Sequence, residues 1–440
     1  MFKIIRISLL LLLALLAITS LSAQAQTANP TIDVLVVKGA INPVVADYIE
    51  RSISEAEASN AIAVIIQLDT PGGLDTAMRD IVQDIVNARI PVVVYVSPSG
   101  ARAASAGVFI TISAHVAAMS PNTAIGAAHP VSIGTEGEAQ VSETMEEKVV
   151  NDAAAYIRSI ARAHDRNMDW AEKAVRESVS ATEQEALELD VIDLVADNLD
   201  DLVSQLDGRE VTLLGGATVT LDTSNAIIND NQMTGTEDFL YAISDPNIAY
   251  LLLSIAMLGI TAEIFSPGLI FPGVVGVISL LLAFFSLGML PVNYAGILLI
   301  VLAFGLFIAE AFTSSFGLFT AGGIAALIFG SLILFKGGPL FQVNPWLIAT
   351  VVSIITTVLI LIIIKIISGY RRQPTTGREE LIGKTAVVKK ALDPEGIILY
   401  KGERWTAHSE TGPVEPGETV VINRVDGLKL YVAKQTEVNK

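Results

Sequence analysis

Ser105 is the residue in this sequence best placed to act as a nucleophile. It lies in the small-residue stretch 98–107, directly after the strand-like run 92–96 and inside a segment whose pattern predicts a helix over 103–114. A tight strand-to-helix turn exposes a hydroxyl, and the start of a helix offers unpaired N–H groups to a developing oxyanion. The alternative interpretation is that Ser105 is small only so that a helix can pack closely.

A second small-residue loop, from Asp69 to Gly73, follows another buried strand-like run. Adjacent glycines let backbone N–H groups point at a ligand without a Cβ in the way. Gly72 and Gly73, together with the N–H of Ala106, are therefore candidate donors for an oxyanion hole. The sequence has no nucleotide-binding glycine motif and no cluster of metal-ligand spacing, so we predict neither a cofactor nor a metal. The histidines are at positions 115, 129, 164 and 408.

The elements that must position these residues alternate between strands and helices from residue 32 to residue 207. This rhythm predicts an α/β domain with a mostly parallel sheet and helices on its faces. Sites in such sheets form at the carboxyl ends of the strands. We therefore expect the Gly72–Gly73 loop and Ser105 to lie at the same edge.

Residues 1–25 have the features of a cleaved secretory signal peptide, with an uncleaved anchor as the alternative. Two cations precede an apolar run over 7–18, and residues 23–25 (Ala-Gln-Ala) fit the cleavage pattern. The absence of cysteine excludes disulfides, thiolate metal sites and a cysteine nucleophile. The net charge of −18, concentrated in residues 26–247, argues against nucleic-acid binding.

Residues 247–364 have the composition of a membrane region, because only Glu263, Glu310 and Lys336 are charged. The tetrapeptide Ala-Glu-Ile-Phe around Glu263 recurs as Ala-Glu-Ala-Phe around Glu310, which indicates a weak internal repeat. We expect Glu263 and Glu310 each to lie near the end of a span. At such a position a buried acid can have either a functional or a structural role. Five spans fit the pattern best, at about 248–265, 269–290, 294–312, 317–335 and 345–368.

The charges beside the last span predict how the chain crosses the membrane. Arg371 and Arg372 follow that span, and by the positive-inside rule they place the C-terminal end in the cytoplasm. A cleaved signal peptide places residues 26–246 outside, which requires an odd number of spans. We therefore expect a multi-pass protein of the cell membrane with an extracytoplasmic α/β domain.

The C-terminal segment 376–440 alternates five short strand-like runs with turns, which predicts a small all-β barrel of the OB or SH3 type. Its balanced charge and lack of an aromatic row favour a protein-interaction or structural role over nucleic-acid binding. The segment 208–246 is expected to be a linker or a short hairpin. The predicted domains are thus 1–25, 26–207, 208–246, 247–368 and 376–440.

Several motifs together resemble one known family. The motifs around Gly72, Ser105 and His129 resemble those of ClpP/crotonase-type serine peptidases, and in particular the membrane-bound NfeD proteases that are associated with stomatin-like proteins. The segment 148–158 resembles the catalytic-lysine helix of that family, and 402–407 and 425–432 resemble its NfeD OB domain. The similarity covers nearly the whole mature chain in the order protease, membrane spans and barrel.

The resemblance implies a serine endopeptidase with Ser105 as nucleophile, Lys148 as general base, and Gly72, Gly73 and Ala106 as the oxyanion hole. A lysine accepts a proton only when it is neutral, so its pKa must fall from about 10.4, and burial would lower it. We therefore expect Lys148 to be buried, with the neighbouring Glu146 and Glu147 turned to solvent.

His129 is the alternative base, since its spacing from Ser105 resembles that of the histidine in soluble ClpP. Glu177 is a poor candidate for the acid that a triad would also need. The resemblance further implies apolar segments of membrane-associated proteins as substrates, a stomatin-like partner, and a homo-oligomer of at least two copies. A non-catalytic membrane scaffold that organises stomatin-like assemblies is the alternative function.

Overall fold

The computed structural model describes residues 30–130, 143–268, 270–313, 317–336, 341–371 and 378–435. The proposed signal peptide and the C-terminal residues 436–440 lie outside these ranges. The chain divides into two compact units, Met1–Ile354 and Ile355–Lys440. The first contains the α/β domain and most of the membrane helices, and the second contains the C-terminal barrel.

The α/β domain is built on a six-stranded sheet with the order β11-β1-β2-β3-β5-β8. Its pairings are all parallel. The strands of this domain are β1 (Thr31–Lys38), β2 (Ala63–Asp69), β3 (Val92–Val96), β4 (Arg102–Ala104), β5 (Val116–Met119), β6 (Ala124–Gly126), β7 (Ser180–Thr182), β8 (Leu194–Val195), β9 (Glu210–Thr212), β10 (Thr218–Thr220) and β11 (Ile227–Asp230).

Helices cover the sheet because successive side chains of its strands point to opposite faces. In β3, for example, Val92, Val94 and Val96 belong to one apolar core, and Val93 and Tyr95 belong to another. The helices of this domain are α1 (Pro43–Ser59), α2 (Asp75–Asn87), α3 (Ala106–Ser113), α4 (Glu143–Ala163), α5 (Met168–Arg176), α6 (Glu183–Glu188), α7 (Leu199–Leu206) and α8 (Gly235–Ile243). The predicted α/β class is confirmed.

A second sheet of three short strands, in the order β4-β6-β7, forms the layer that holds the candidate nucleophile. The expected helix over 103–114 is wrong at its start, because residues 102–104 form strand β4 and the helix begins at Ala106. The strand exists because its backbone has partners on both sides. It pairs with β6, and it exchanges hydrogen bonds with Thr70 at the end of β2.

The segment 208–246 contains more structure than a linker. Strands β9 and β10 form the expected antiparallel hairpin. Strand β11 was not expected and adds to the main sheet in parallel with β1. Helix α8 then packs on α1, where Arg51 pairs with Glu237 at 2.7 Å. This segment is therefore an integral part of the α/β domain.

Five apolar helices occupy the membrane region, close to the predicted spans: α9 (Pro246–Phe265), α10 (Phe271–Gly288), α11 (Tyr294–Phe312), α12 (Leu318–Leu332) and α13 (Pro345–Arg371). Helices α9, α10 and α11 are each at least 18 residues long and apolar enough to cross a membrane. Helix α12 and the apolar part of α13, Pro345–Leu361, are shorter. The multi-pass character is therefore supported, whereas the number of spans and their orientation stay predictions.

The two intramembrane acids occupy corresponding positions in two helical hairpins. The Glu263 carboxylate accepts a hydrogen bond from Gly268 N–H at 3.2 Å, between α9 and α10. The Glu310 carboxylate accepts from Gly317 N–H at 2.9 Å and from Thr320 N–H at 3.1 Å, at the start of α12. Each acid thus ties the end of one helix to the entry of the next, as a repeat would require.

The C-terminal unit contains a closed barrel with the strand order β12-β13-β14-β16-β15. Strands β14 and β16 run parallel and the other neighbours antiparallel, which is the OB topology. The predicted barrel is therefore confirmed. Its strands are β12 (Thr385–Lys390), β13 (Glu395–Tyr400), β14 (Glu403–Ser409), β15 (Thr419–Asp426) and β16 (Lys429–Lys434).

Candidate active site

Ser105 has an unusual backbone conformation between β4 and α3. Its φ of 53° and ψ of −111° lie in a region that residues other than glycine rarely adopt. The surroundings hold it there: its N–H donates to Gly126 C=O at 3.2 Å, and its own carbonyl accepts from Val108 N–H at 3.0 Å. A strained serine at a strand-to-helix turn is the geometry of a nucleophile elbow.

The Gly72–Gly73 loop lies directly against this turn. A Cβ atom on Gly72 would stand 2.7 Å from Ser105 Cβ and 3.2 Å from Ser105 Oγ, so only glycine fits. The φ of Gly72, 119°, also favours glycine. On the other side, a Cβ on Gly107 would stand 2.6 Å from Thr70 Cγ2, which is why helix α3 approaches the loop so closely.

Of the three predicted oxyanion donors, Gly72 has an N–H that is already engaged, and Gly73 and Ala106 stay candidates. Ala106 is the first residue of α3, where N–H groups have no partner within the helix. Ile41 bonds with the carbonyl of Gly72 and the N–H of Leu74, so the Gly73 N–H points away from Ile41. The N–H of Gly72, in contrast, donates to Thr70 Oγ1 at 3.0 Å.

Helix α4, which carries Lys148, packs against α3. Phe109 of α3 stacks on Tyr156 of α4 with ring centroids 6.0 Å apart. At the other end, Arg166, just after α4, donates to Ile112 C=O and to Ala114 C=O, the latter at 2.7 Å. These contacts fix the later part of α4 and the nearby Arg166 against α3, the helix that Ser105 precedes.

Lys148 lies about two helical turns before Tyr156, in the first part of α4. The side chain is exposed in the single chain, so the expected burial is not found. Glu146 and Glu147 are exposed, as the dyad requires.

Arg79 ties the turn of α4 next to Lys148 to the start of α2. Its guanidinium pairs with Asp75 at 2.8 Å and with Asp152 at 2.5 Å. It also lies 4.5 Å from the centre of the Tyr156 ring. Asp152 is one helical turn after Lys148, and Asp75 is two residues after Gly73. Arg79 therefore connects the lysine helix with the glycine loop.

His129 is held by its own backbone contact rather than by a carboxylate. Its Nδ1 lies 2.8 Å from Val175 C=O. A carbonyl only accepts, so this bond places a proton on Nδ1 and leaves Nε2 of the neutral ring as an acceptor. Glu177 is exposed, and Nδ1 bonds to the Val175 carbonyl instead.

Thr70 and Arg79 support the site, and the local sequence predicts a catalytic role for neither of them. Thr70 is fully buried and bonds both the N–H and the C=O of Gly72. A threonine before Pro-Gly-Gly is a signal for such a side-chain-stabilised turn. The local sequence around Arg79 does not indicate its ion pair with Asp152, because Asp152 lies far away in the chain. In the described part of the chain, no three His, Asp or Glu side chains are grouped to hold a metal ion.

An α/β domain with a strained serine, joined to apolar membrane helices and an OB barrel, defines a class of membrane-anchored proteins with a ClpP-like domain. Three parts of this chain match known families. Residues 31–235 match the NfeD1b N-terminal domain, residues 247–365 the NfeD integral membrane domain, and residues 378–434 the NfeD-like C-terminal, partner-binding domain.

The chain is similar to two proteins over nearly their whole lengths. It is 38% identical over 408 residues to the membrane-bound protease PH1510 of Pyrococcus horikoshii, covering 91% of this chain and 92% of that protein. It is 29% identical over 448 residues to the membrane protein NfeD1b of Bacillus subtilis, covering 95% of this chain and 96% of that one. The chain therefore belongs to the NfeD family.

One solved structure similar to the α/β domain is that of the 1510-N membrane-bound stomatin-specific protease, an alanine variant in complex with a substrate peptide. It is 35% identical, covers 49% of this chain and 98% of that chain, and has a TM-score of 0.46.

Proposed function

We propose that this protein is a membrane-anchored serine endopeptidase that cleaves apolar segments of membrane-associated proteins. Membership in a family that includes a membrane-bound protease supports a peptidase activity. The observation that carries the proposal is the contact between the strained Ser105 and Gly72, at the start of a helix. Such a turn presents a hydroxyl next to unpaired N–H groups, as acyl transfer needs.

In the proposed mechanism, Ser105 Oγ attacks the peptide carbonyl while the neutral Lys148 amine accepts the hydroxyl proton. The N–H groups of Gly73 and Ala106 stabilise the tetrahedral oxyanion, and the backbone of Gly72 shapes the hole. Lys148 then gives the proton to the leaving amine, and an acyl-serine ester remains. A water molecule, deprotonated by Lys148, hydrolyses the ester and restores Ser105.

The Lys148 side chain is exposed in the described part of the single chain. Burial of its amine therefore requires that another segment or another molecule packs over it. The neighbouring Met145 and Val149 are apolar but 54% and 41% exposed. An apolar substrate segment or a second copy that packs here would remove water from the amine and favour its neutral form. We therefore propose that the protein is a homo-oligomer of at least two copies and that its substrates are apolar sequences. The mass of the purified protein in detergent tests the oligomeric state.

A stomatin-like membrane protein is the proposed partner. The C-terminal barrel belongs to a partner-binding domain family, and the relative of the α/β domain is described as stomatin-specific.

We further propose that the α/β domain lies outside the cytoplasm and the barrel inside. Because the chain has no cysteine, single variants report on sidedness. A membrane-impermeant maleimide added to intact cells should label Ser224→Cys in the α/β domain but not Thr411→Cys in the barrel.

The enzyme is tested with the purified full-length protein in detergent. A fluorophosphonate probe should label the wild type, and an internally quenched apolar peptide should be cleaved. Ser105→Ala should abolish both. Cleavage that persists in Ser105→Ala would refute the serine mechanism.

A membrane scaffold is the second candidate, favoured by the exposure of Lys148 and by the relative described only as a membrane protein. It predicts that neither labelling nor cleavage occurs, while a stomatin-like protein still binds equally well to the wild type and to Ser105→Ala.

A further inference from the structure

Tyr241 connects the helix that leads into the membrane with the end of strand β1. It lies in α8, and the first membrane helix begins five residues later, at Pro246. Its hydroxyl donates to Lys38 C=O at 2.7 Å and lies against Gly39, where a Cβ atom would overlap it. Burial raises the pKa of Tyr241, so the hydroxyl remains a donor at any physiological pH.

The residues after Lys38 form the backbone support of the Gly72–Gly73 loop. Gly39 N–H donates to Asp69 C=O, and Ile41 N–H donates to Gly72 C=O, each at 2.9 Å. Ile41 C=O in turn accepts from Leu74 N–H at 2.9 Å. Segment 39–41 therefore has the glycine loop on one side and Tyr241 on the other.

Helix α8 is itself fixed at both ends. Near its start, Glu237 accepts from Arg51 of α1 at 2.7 and 2.9 Å. At its end, Ile243 C=O accepts a hydrogen bond from the buried Ser286 hydroxyl of membrane helix α10. Tyr241 thus belongs to an element that is attached to the membrane helices by a hydrogen bond as well as by the chain.

We propose that Tyr241 is a positioning residue that holds the Gly72–Gly73 loop in place for oxyanion binding and couples the loop to the membrane helices; this rests on the proposed peptidase function. An oxyanion donor works only when its N–H is aimed at the position of the developing charge. Without the hydroxyl, Lys38 and Gly39 lose their contact with α8 and are held by the pairing with β2 alone, so the loop that they support can shift. The aromatic ring would keep its packing in Tyr241→Phe, so the fold should persist.

The test compares Tyr241→Phe with Tyr48→Phe in the full-length protein in detergent. Tyr48 is a matched control, because its hydroxyl also donates to a backbone carbonyl, but that of Asn231, at 2.5 Å, rather than that of Lys38. For an internally quenched apolar peptide, Tyr241→Phe should lower kcat about tenfold with little change in KM, less than the full loss of a donor. Tyr48→Phe should leave kcat unchanged.

A peptide boronate separates positioning from general stability. Its tetrahedral adduct with Ser105 uses the oxyanion donors, whereas the bound substrate does not. Its affinity for Tyr241→Phe should therefore fall by the same factor as kcat, at a melting temperature close to that of Tyr48→Phe. Equal kcat and equal boronate affinity in the two variants would overturn the proposal.

The parallel Ser105→Ala variant shows which idea has failed. If Ser105→Ala is inactive while Tyr241→Phe behaves like Tyr48→Phe, only the role of Tyr241 is refuted. If Ser105→Ala still cleaves the peptide, the serine mechanism and the positioning role both fall.

Discussion

Gly72 lies against the side chain of Ser105, so closely that a Cβ atom on Gly72 would stand 2.7 Å from Ser105 Cβ. The two residues come from the ends of different strands, β2 and β4, and are joined through hydrogen bonds of Thr70 with Arg102 and Ala104. The contact unites the two small-residue loops in one site. It also makes that site sensitive to a single methyl group.

Gly72→Ala should therefore damage the site more than the fold. The added Cβ would displace Ser105, and a misplacement of about 1 Å at a reacting group costs about 100-fold in rate. Peptide cleavage should fall by at least about that factor. Gly216→Ala is the control: its φ is 84°, but nothing lies within 4 Å of the added Cβ. Comparable activity losses in the two variants would show that backbone strain alone is responsible.

The base is tested by replacing Lys148 in two ways. Lys148→Ala should lower kcat by about 10²–10⁴-fold, the contribution typical of a general base. Lys148→Arg should be equally impaired, because a guanidinium keeps the charge but does not give up its proton. His129→Ala should retain most of the activity. The opposite pattern, with Lys148→Ala active and His129→Ala inactive, would assign the proton transfer to His129.

Arg79→Ala should reduce activity without greatly changing stability. Its ion pairs are largely exposed and contribute little to the free energy of unfolding, about 0–1 kcal/mol each. They do, however, tie the Lys148 end of α4 to the start of α2, so kcat should fall several-fold. Arg158→Ala removes another ion pair of the same helix, with Glu172 at 2.8 Å, and should leave kcat unchanged. A similar kcat for both variants would contradict the proposed role of Arg79.

The stability of the protein should decrease as the pH falls from 6.5 towards 4. His115 and His164 stack edge to face at 5.9 Å, and burial together with the Arg166 charge lowers the pKa of each to about 4. Between these values the unfolded chain binds protons that the folded chain does not, so protonation favours unfolding. Above pH 6.5 both forms are neutral, and the stabilisation is complete.

Thermal denaturation at a series of pH values measures this effect. His164→Gln should flatten the decline between pH 6.5 and 4 because one titrating group is lost. Asp84 acts in the opposite direction: burial, with the charges of Glu50 and Asp80, raises its pKa to about 6, so its protonation favours the folded state. Because two histidines destabilise the folded state at low pH and one aspartate stabilises it, the stability should still decrease as the pH falls from 6.5 to 4. A melting temperature that is constant over this range would contradict the prediction.

Glu263 and Glu310 should tolerate replacement by glutamine better than by alanine. Each carboxylate accepts N–H groups at the entry of the next helix, and an amide oxygen can replace it as acceptor. Alanine would leave those N–H groups without this partner within the membrane region, which is costly. Protease resistance and yield of the full-length protein in detergent measure the difference. A requirement for the charge in both positions would indicate a function beyond structure.

The order of the segments and the candidate nucleophile could be predicted from local sequence patterns. Long apolar runs, βαβ periodicity and the alternation in the last sixty or so residues are local patterns, and each reflects which surface a segment must bury. The identification of Ser105 and of the Gly72–Gly73 loop likewise depended on small residues at strand ends. These features are visible without knowing what they contact.

Which distant segments meet became visible only in the folded chain. Strand β4 looks helical in sequence but is held extended by Thr70 and by β6, and β11 pairs with β1 across nearly the whole domain. The exposure of Lys148 depends on which residues pack around the first turns of α4, and its local sequence does not show them. Contacts of this kind depend on hydrogen bonds and packing between residues far apart in the chain, and local periodicity carries no information about them.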